Sequence, residues 1–334
     1  MKRRSGAVTI AEVAKRAGVS PATVSRVMND HFFGDATIAE RVLFVATELA
    51  YSPSHLARSL ALGQTRTIAF VVPDLANPTF HAMLSSLSKA AAKDNYRVLV
   101  ADSAESPSDE PPLVREIRRR CDAVVLCAPR MSDAALVALA GSLRPLVFID
   151  RSSPEIDAPS LSIDYRAGIQ DLAQHLWDLG HRHLVFIEGP AESLSNLRRL
   201  EGLAEFEHRM PELRIDRIPG GATSNDGLAA AGRALETGAT AALAFNDLVA
   251  IGLLNGLIGL GVRVPEDMSV TGFDDIPFAR FSTPTLTTLS VAHEELGTEA
   301  WHRMRSLTAG KAPGPNLEFR PRLEVRGSTA APRN

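Results

Sequence analysis

Acids and amides recur at the ends of short apolar runs in this chain. The phrases VVPDLANPTF, LVFIDRS, LAFNDLVAIG and VTGFDD set Asp74, Asn77, Asp150, Asn246, Asp247, Asp274 and Asp275 just past the last apolar residue, and a loop after Gly189 leads to Arg198 and Arg199. Carboxylates accept hydrogen bonds, a guanidinium donates them in a fixed fork, and an amide does both. Such a set suits a small molecule with vicinal hydroxyls, such as a sugar, because those hydroxyls donate to the acids and accept from the arginine. Structural readings stand beside this one: Asn246 and Asp247 can cap the helix that follows, and Asp274 or Asp275 can fix a turn.

Covalent chemistry has less to work with. No Gly-x-Ser-x-Gly elbow is present, and no Gly-x-Gly-x-x-Gly follows an apolar run, so no dinucleotide cofactor is expected. His181 and His183 in GHRH flank a turn, where surface or capping roles are the expectation. Cys121 and Cys127 bracket one apolar run at a spacing that fits no metal or redox pattern, and they read as reduced core thiols. The chain is expected to be no enzyme, with neither cofactor nor metal.

The elements that must position the polar set are short apolar strands alternating with helices, the mark of parallel α/β units. Strands are predicted at about 67–73, 97–101, 122–127 and 145–149, then near 183–187, 214–218, 241–245 and 268–272. Helices are predicted at about 79–94, 109–119 and 132–141, then near 166–179, 197–208, 225–236 and 247–260. Ligands bind open parallel sheets at the carboxyl ends of the strands, which is where the acids fall.

The first sixty residues differ in texture. Thr9 followed by Glu12 is a capping box that starts a helix at about Ile10, and Gly18 supplies its left-handed end. Ser20 caps a second helix with Pro21 at its first position, running to about Met28. Ile10, Val13, Ala14 and Ala17 make one apolar stripe and Val24, Val27 and Met28 another, a helix-turn-helix pattern. Pro21, Ala22, Ser25 and Arg26 then point away from the packed stripe. Arg26 is the candidate base reader, since a guanidinium can donate two parallel bonds to guanine. Asp35 is expected to cap a third helix to about Ala50, and Phe32 and Phe33 to pack against it.

The runs VTIAEVAKRAGVSPATVSRVMN and YSPSHLARSL resemble the N-terminal domain of the LacI/GalR family of bacterial transcription regulators. The strand-end phrases, with GHRHLVFI, RLEG and LTTLS, resemble that family's later signatures. The resemblance implies a second helix in the DNA major groove, a hinge helix in the minor groove, and a body resembling the two-lobed periplasmic-binding-protein fold. It implies DNA contacts at Thr9, Ser20, Pro21, Ala22, Thr23, Ser25, Arg26, Asn29, Ser54, His55, Ala57, Arg58 and Leu60, with Leu60 in the place of a leucine wedged into the central base step. It implies effector contacts at Asp150, Arg199, Asn246 and Asp274, with Asp74 and Phe80 on the other lobe. Gly220 and Gly221 stand where many relatives carry an aromatic.

The expected fold class is therefore α/β, an all-α head and hinge before two lobes of parallel sheet. The head is expected over 1–51, the hinge and linker over 52–64, and the effector-binding and dimerisation body over 65–334. Lobe one is expected at about 65–163 and 292–322, lobe two at about 164–290 and 323–334. Charge fits that division. Residues 1–64 hold eight Lys or Arg against five acids, a net of +3, so the rest carries -6 within a total of -3. A basic head on an acidic body suits DNA binding.

No apolar run reaches the ~18 residues of a membrane helix, and MKRRSGA leads into a capped polar helix, so a cytoplasmic protein is expected. After Gly327 only STAAPRN remains, with no heptads for a tetramer-forming coiled coil. The expected partners are a palindromic double-stranded operator, a sugar-like effector and a second copy of the chain. The alternative is a solute-binding protein of a transport system.

Overall fold

A computed structural model of the chain describes residues 8–28, 32–51 and 64–333. They belong to two compact units that divide between Thr65 and Arg66.

In the first unit α1 (Ile10–Ala17) begins at the Thr9–Glu12 capping box and ends on Gly18 at φ 67°. In the turn, Thr23 N donates to Ser20 Oγ at 3.1 Å, so α2 (Pro21–Met28) is capped as its sequence indicates. Asp35 caps α3 (Ala36–Glu48) by accepting from Thr37 N. Val13, Ala14, Ala17, Val24, Val27, Val42, Val45 and Ala46 form the core of this small bundle. Phe32 packs against it, but Phe33 does not: its side chain is 98% exposed, contrary to the expectation that both rings would cover α3.

The second unit holds two parallel sheets. The larger has six strands: β1 (Thr67–Val72), β2 (Arg97–Asp102), β3 (Ala123–Cys127), β4 (Leu146–Ile149), β5 (Ser160–Ile163) and, far along the chain, β11 (Leu317–Phe319). Their order is β11-β5-β4-β3-β1-β2. The smaller contains β6 (His183–Glu188), β7 (Arg214–Pro219), β8 (Ala241–Ala244) and β9 (Ser269–Thr271) in the order β7-β6-β8-β9. β10 (Thr288–Ser290) and β12 (Arg322–Glu324) form a separate short antiparallel pair. The inner strands are apolar throughout, as in β3 (AVVLC), because helices cover both faces of a parallel sheet.

Helices α4 (Pro78–Lys93), α5 (Glu110–Arg118) and α6 (Asp133–Leu143) flank the larger sheet. Around the smaller one lie α7 (Tyr165–Asp178), α8 (Leu194–Arg209), α9 (Ser224–Glu236) and α10 (Asp247–Gly259). One further helix, α11 (His293–Thr308), returns to pack on α4. There a Cβ at Gly297 would fall 2.2 Å from Met83 O, so the two backbones meet where no side chain fits. β5, β10 to β12 and α11 were not among the predicted elements: the strands are three or four residues long, and α11 shows only the narrow stripe Leu296, Ala300, Trp301 and Met304 in a polar run.

Ser328 and Ala330 are tied into the second unit. Ser328 is fully buried, its Oγ donating to Val270 O at 2.6 Å and accepting from Thr287 N at 2.8 Å. Ala330 O accepts from Ser269 Oγ at 3.1 Å and meets His181 Nε2 at 2.9 Å. Among the described residues no helix is long and apolar enough to cross a membrane.

Candidate functional site

On α2, Pro21, Ala22, Ser25 and Arg26 are exposed while Val24 and Val27 are buried, so one face of the helix is offered outward. Among the described residues Arg26 makes one long bond, its Nε donating to Ala22 O at 3.4 Å. Thr9 and Ser20 spend their hydroxyls on helix caps, and Thr23, half-buried, shares a 3.0 Å hydroxyl contact with Ser20. Asn29, Ser54, His55, Ala57, Arg58 and Leu60 lie outside the described residues.

In the second unit the carboxyl ends of the two sheets face each other across a cavity of about 40 Å³. Asp150, Arg199, Asn246, Asp274 and Phe80 all line it, as does Asn77. Arg199 reaches it from the second turn of α8. It is 1% exposed, and its guanidinium carbon stands 4.0 Å from the ring centre of Phe273, 4.4 Å from that of Tyr165 and 4.7 Å from that of Phe245. Three aromatic faces thus replace the water it gives up. Nη1 donates to Ser195 O at 3.0 Å, but Nε has no hydrogen-bond partner among the described residues. A buried, unpaired donor costs roughly 1–3 kcal/mol, which a bound acceptor would recover.

The acids around it are strained and desolvated. Asp150 follows β4 at φ 54° and Asp274 follows β9 at φ 117°, a region that non-glycine residues enter at a cost of order 1–3 kcal/mol and mainly at working sites. Asp150 accepts from Tyr165 Oη at 2.8 Å and from Ile163 N at 3.1 Å. Burial nonetheless pushes its carboxyl up to about 6. Asp274 accepts from Thr79 Oγ1 at 3.2 Å, and burial pushes it up to about 7 against the opposing pull of Arg199. Its carbonyl oxygen accepts from His293 Nε2 at 3.2 Å; burial holds that imidazole down to about 4, hence neutral, with Nδ1 unpartnered.

Several residues of the sequence-predicted set turn out to hold the fold. Asn246 lines the cavity and also serves as a cap, its Oδ1 accepting from Val249 N at 2.8 Å and its Nδ2 donating to Ala222 O at 2.9 Å. Asp247 is buried beneath it, accepting from Ile276 N and from the Thr288 hydroxyl at 2.8 and 2.5 Å. Asp275 pairs with Arg326 and Arg280 at 2.6 and 2.9 Å. Asp74 stands apart from the lining, accepting from Ala76 N at 2.7 Å in a turn.

Sequence reasoning missed Thr79, Tyr165, Ser195, Phe245 and the pair Glu105–Arg130, whose two bonds measure 2.5 and 2.9 Å. Glu105 and Arg130 follow β2 and β3, so the strand-end rule would have found them had it been applied to every strand. Gly220 and Gly221 add no aromatic ring, but Phe80, Tyr165 and Phe245 line the cavity.

A larger recess of about 500 Å³ shares Asp150, Tyr165 and Ser195 with the inner cavity and continues past Arg151, Arg166 and Arg198. Both cysteines are buried and unbonded to each other; burial pushes Cys121 up to about 11 and Cys127 well up. Among the described residues no group of three or more His, Cys, Asp or Glu is placed to hold a metal ion.

Two family descriptions match this chain: bacterial regulatory proteins of the lacI family over residues 9–54, and a periplasmic binding protein-like domain over residues 173–329. The HTH-type transcriptional repressor CytR of Escherichia coli (strain K12) is 31% identical, the alignment spanning 99% of this chain and 98% of that protein. The HTH-type transcriptional regulator GalR of Salmonella typhimurium (strain LT2) is 31% identical over 97% and 96% of the two chains. A crystal structure of the lac repressor dimer bound to operator and an anti-inducer superimposes with a TM-score of 0.85 at 27% identity, covering 97% of this chain and 99% of that one.

Proposed function

This chain belongs to the lacI family of bacterial regulatory proteins and is a DNA-binding transcription regulator; on that premise we propose that it works as a homodimeric repressor whose grip on a palindromic operator is set by a sugar-like effector held at Arg199. The observation that carries the effector reading is the unpartnered, fully buried Nε of Arg199 between two strained acids, at the meeting point of both sheets. Asp150 and Asp274 offer acceptors and Arg199 offers donors to vicinal hydroxyls. Asn77, Thr79 and Phe80 approach from α4 on the other lobe, so a molecule gripping both sides favours closure through its unequal affinity for open and closed clefts.

The outward face of α2 is the proposed operator reader, with Arg26 at its centre; Thr9, Ser20, Pro21, Ala22, Thr23, Ser25 and Asn29 accompany it, and Ser54, His55, Ala57, Arg58 and Leu60 are proposed for the minor groove. Exposed Leu228, Ile258, Phe278 and Phe281, on α9, α10 and the turn after β9, favour a face covered by a second copy. No catalytic role is assigned to the cleft acids, since the relatives are regulators, and action in the cytoplasm follows from the DNA target. A transport receptor shares the two lobes but has no use for the head matched over 9–54.

The test is operator affinity, by fluorescence anisotropy on duplexes from the protein's own promoter region, with and without a panel of sugars. Wild type should bind specifically and respond to a sugar. Arg199→Ala should bind the duplex equally but lose the response, because a charge-assisted bond of roughly 1.5–3 kcal/mol is gone. A variant that responds as wild type does would place the regulatory ligand elsewhere.

A further inference from the structure

The closed cleft holds more carboxylates than it can balance. Glu105, Asp150 and Asp274 line the inner cavity together with Arg130 and Arg199, and Asp247 is buried beneath it. Arg130 is matched to Glu105 through two hydrogen bonds. Arg199 is then the cation left for the other three acids. Among the described residues it pairs directly with none of them, its Nη1 donating to a carbonyl and its Nε to nothing.

Hydrogen bonding singles out Asp274 as the acid left over. Asp150 accepts at both oxygens, from Ile163 N and from the Tyr165 hydroxyl. Asp247 does so too, from the Thr288 hydroxyl and from Ile276 N, and it lies outside the cavity lining, so opening the cleft leaves its surroundings alone. Asp274 accepts from Thr79 at Oδ2, and among the described residues nothing donates to its Oδ1. That bond also joins the two sides of the cleft, since Thr79 lies on α4 beside the larger sheet and Asp274 follows β9 of the smaller. A buried anionic oxygen with no donor is costly, and a proton removes both the charge and the vacancy.

We propose that the hydrogen ion is itself a ligand of this cleft: a proton on Oδ1 of Asp274 is taken up as the lobes close and released as they part. The inference goes beyond the sugar reading and does not depend on it, because the proton needs no second ligand.

Opening returns water to Asp274 and restores an ordinary carboxylate, whereas closure strips that water away and pushes the carboxyl up to about 7. The closed form therefore binds more protons, so its advantage is present at low pH and is lost as pH rises through that value. The groups facing Asp274 set the window. Arg199 on α8 opposes the proton and Asp150 favours it. Tyr165 on α7 stays neutral, its hydroxyl pushed well up by burial, and Asp275 is occupied by Arg326 and Arg280. His293 at the start of α11 meets the Asp274 carbonyl and is held down to about 4, so below its ordinary 6.5 it opposes closure and confines the effect to the range above.

The test is Förster transfer across the cleft of the full chain, free of sugar and diluted with unlabelled chain, from pH 8.5 to pH 6.5. Ser108→Cys and Glu192→Cys carry the dyes, in the exposed loops after β2 and after β6, while Cys121 and Cys127 are buried. The expected result is a closing equilibrium about four-fold more favourable at pH 6.5 than at pH 8.5. Asp274→Asn, neutral at every pH, should stay closed with a flat response, and Thr79→Val should lower closure throughout while keeping the slope. If the melting curve shows that Asp274→Asn does not fold, Asp274→Ser carries the same expectation of a flat response. Transfer that ignores pH in wild type, or a rise that survives removal of the Asp274 carboxyl, would overturn the proposal and leave the sugar reading standing.

Discussion

Thr79 on α4 donates to Asp274 after β9 at 3.2 Å, and this buried bond crosses from one lobe to the other with 195 residues of chain between its ends. Thr79→Val keeps the shape and removes the donor, leaving a buried carboxylate oxygen one partner short. The expected cost is roughly 1–3 kcal/mol in unfolding free energy, read by denaturant titration, together with a weaker preference for the closed cleft. Stability equal to wild type would mean that Asp274 is served by solvent.

Asp274 also makes a pH prediction whose sign is fixed. An aspartate that ordinarily titrates at 3.8 and here at about 7 binds more protons in the folded state, so its contribution to stability is present at low pH and is lost as pH rises through that interval. His293, held at about 4 rather than 6.5, acts in the opposite direction over much of the same range. Asp274→Asn removes the first effect and keeps the second. The melting temperature of the variant minus that of wild type should climb from pH 4 to pH 7 and then level off; a flat difference would show that the carboxyl titrates normally.

Arg26→Ala should lower affinity for the specific duplex by about 1–3 kcal/mol and leave the fold intact, since the side chain lies outside the head's core. Parallel titrations on a scrambled duplex decide its role. Equal losses on both duplexes would mean that Arg26 contacts phosphate rather than bases.

Ser328→Ala should destabilise the body although it lies near the chain's end. Its hydroxyl serves Val270 O and Thr287 N in a fully buried position, and its loss strands both. A cost of roughly 1–3 kcal/mol is expected in thermal or urea unfolding. Ser152→Ala, on the rim of the large recess, is the control and should move stability little.

Local signals carried far in this molecule where chemistry and period agreed. The Thr9–Glu12 box, Gly18 and Ser20 sit as their sequence spacing indicates, and the eight predicted strands of the two sheets match their apolar runs to within about two residues. What could not be read locally depends on partners far away. Asn246, Asp247 and Asp275 look alike as polar residues after a strand, but only the folded chain shows that Asp247 faces Thr288 and Asp275 faces Arg326, while Asp274 between them turns into the cavity. Phe245 and Phe273 read as ends of core strands until Arg199 is seen lying across both. The outward Phe33 was misjudged because pattern alone cannot tell a ring that finds the core from its neighbour that does not.

The position of β11 has a consequence for how the body folds. Asn316, just before it, accepts from Ser160 N at the start of β5, 156 residues away, and Leu317 sits in register with Leu161. The helix α11 that covers the larger sheet arrives from the same distant stretch. The strands and helices of the smaller sheet are consecutive, and the segment that closes on β9, at Ser328, comes from a shorter distance, 58 residues after Val270. Loop closure over such a span is entropically costly until the intervening chain has compacted. The half of the body that contains β1 is therefore the last to be sealed, and its rate of closing should follow the stability of the other half. Destabilising substitutions in α9 or α10 should slow the burial of Trp301, which is 1% exposed on α11, in stopped-flow refolding.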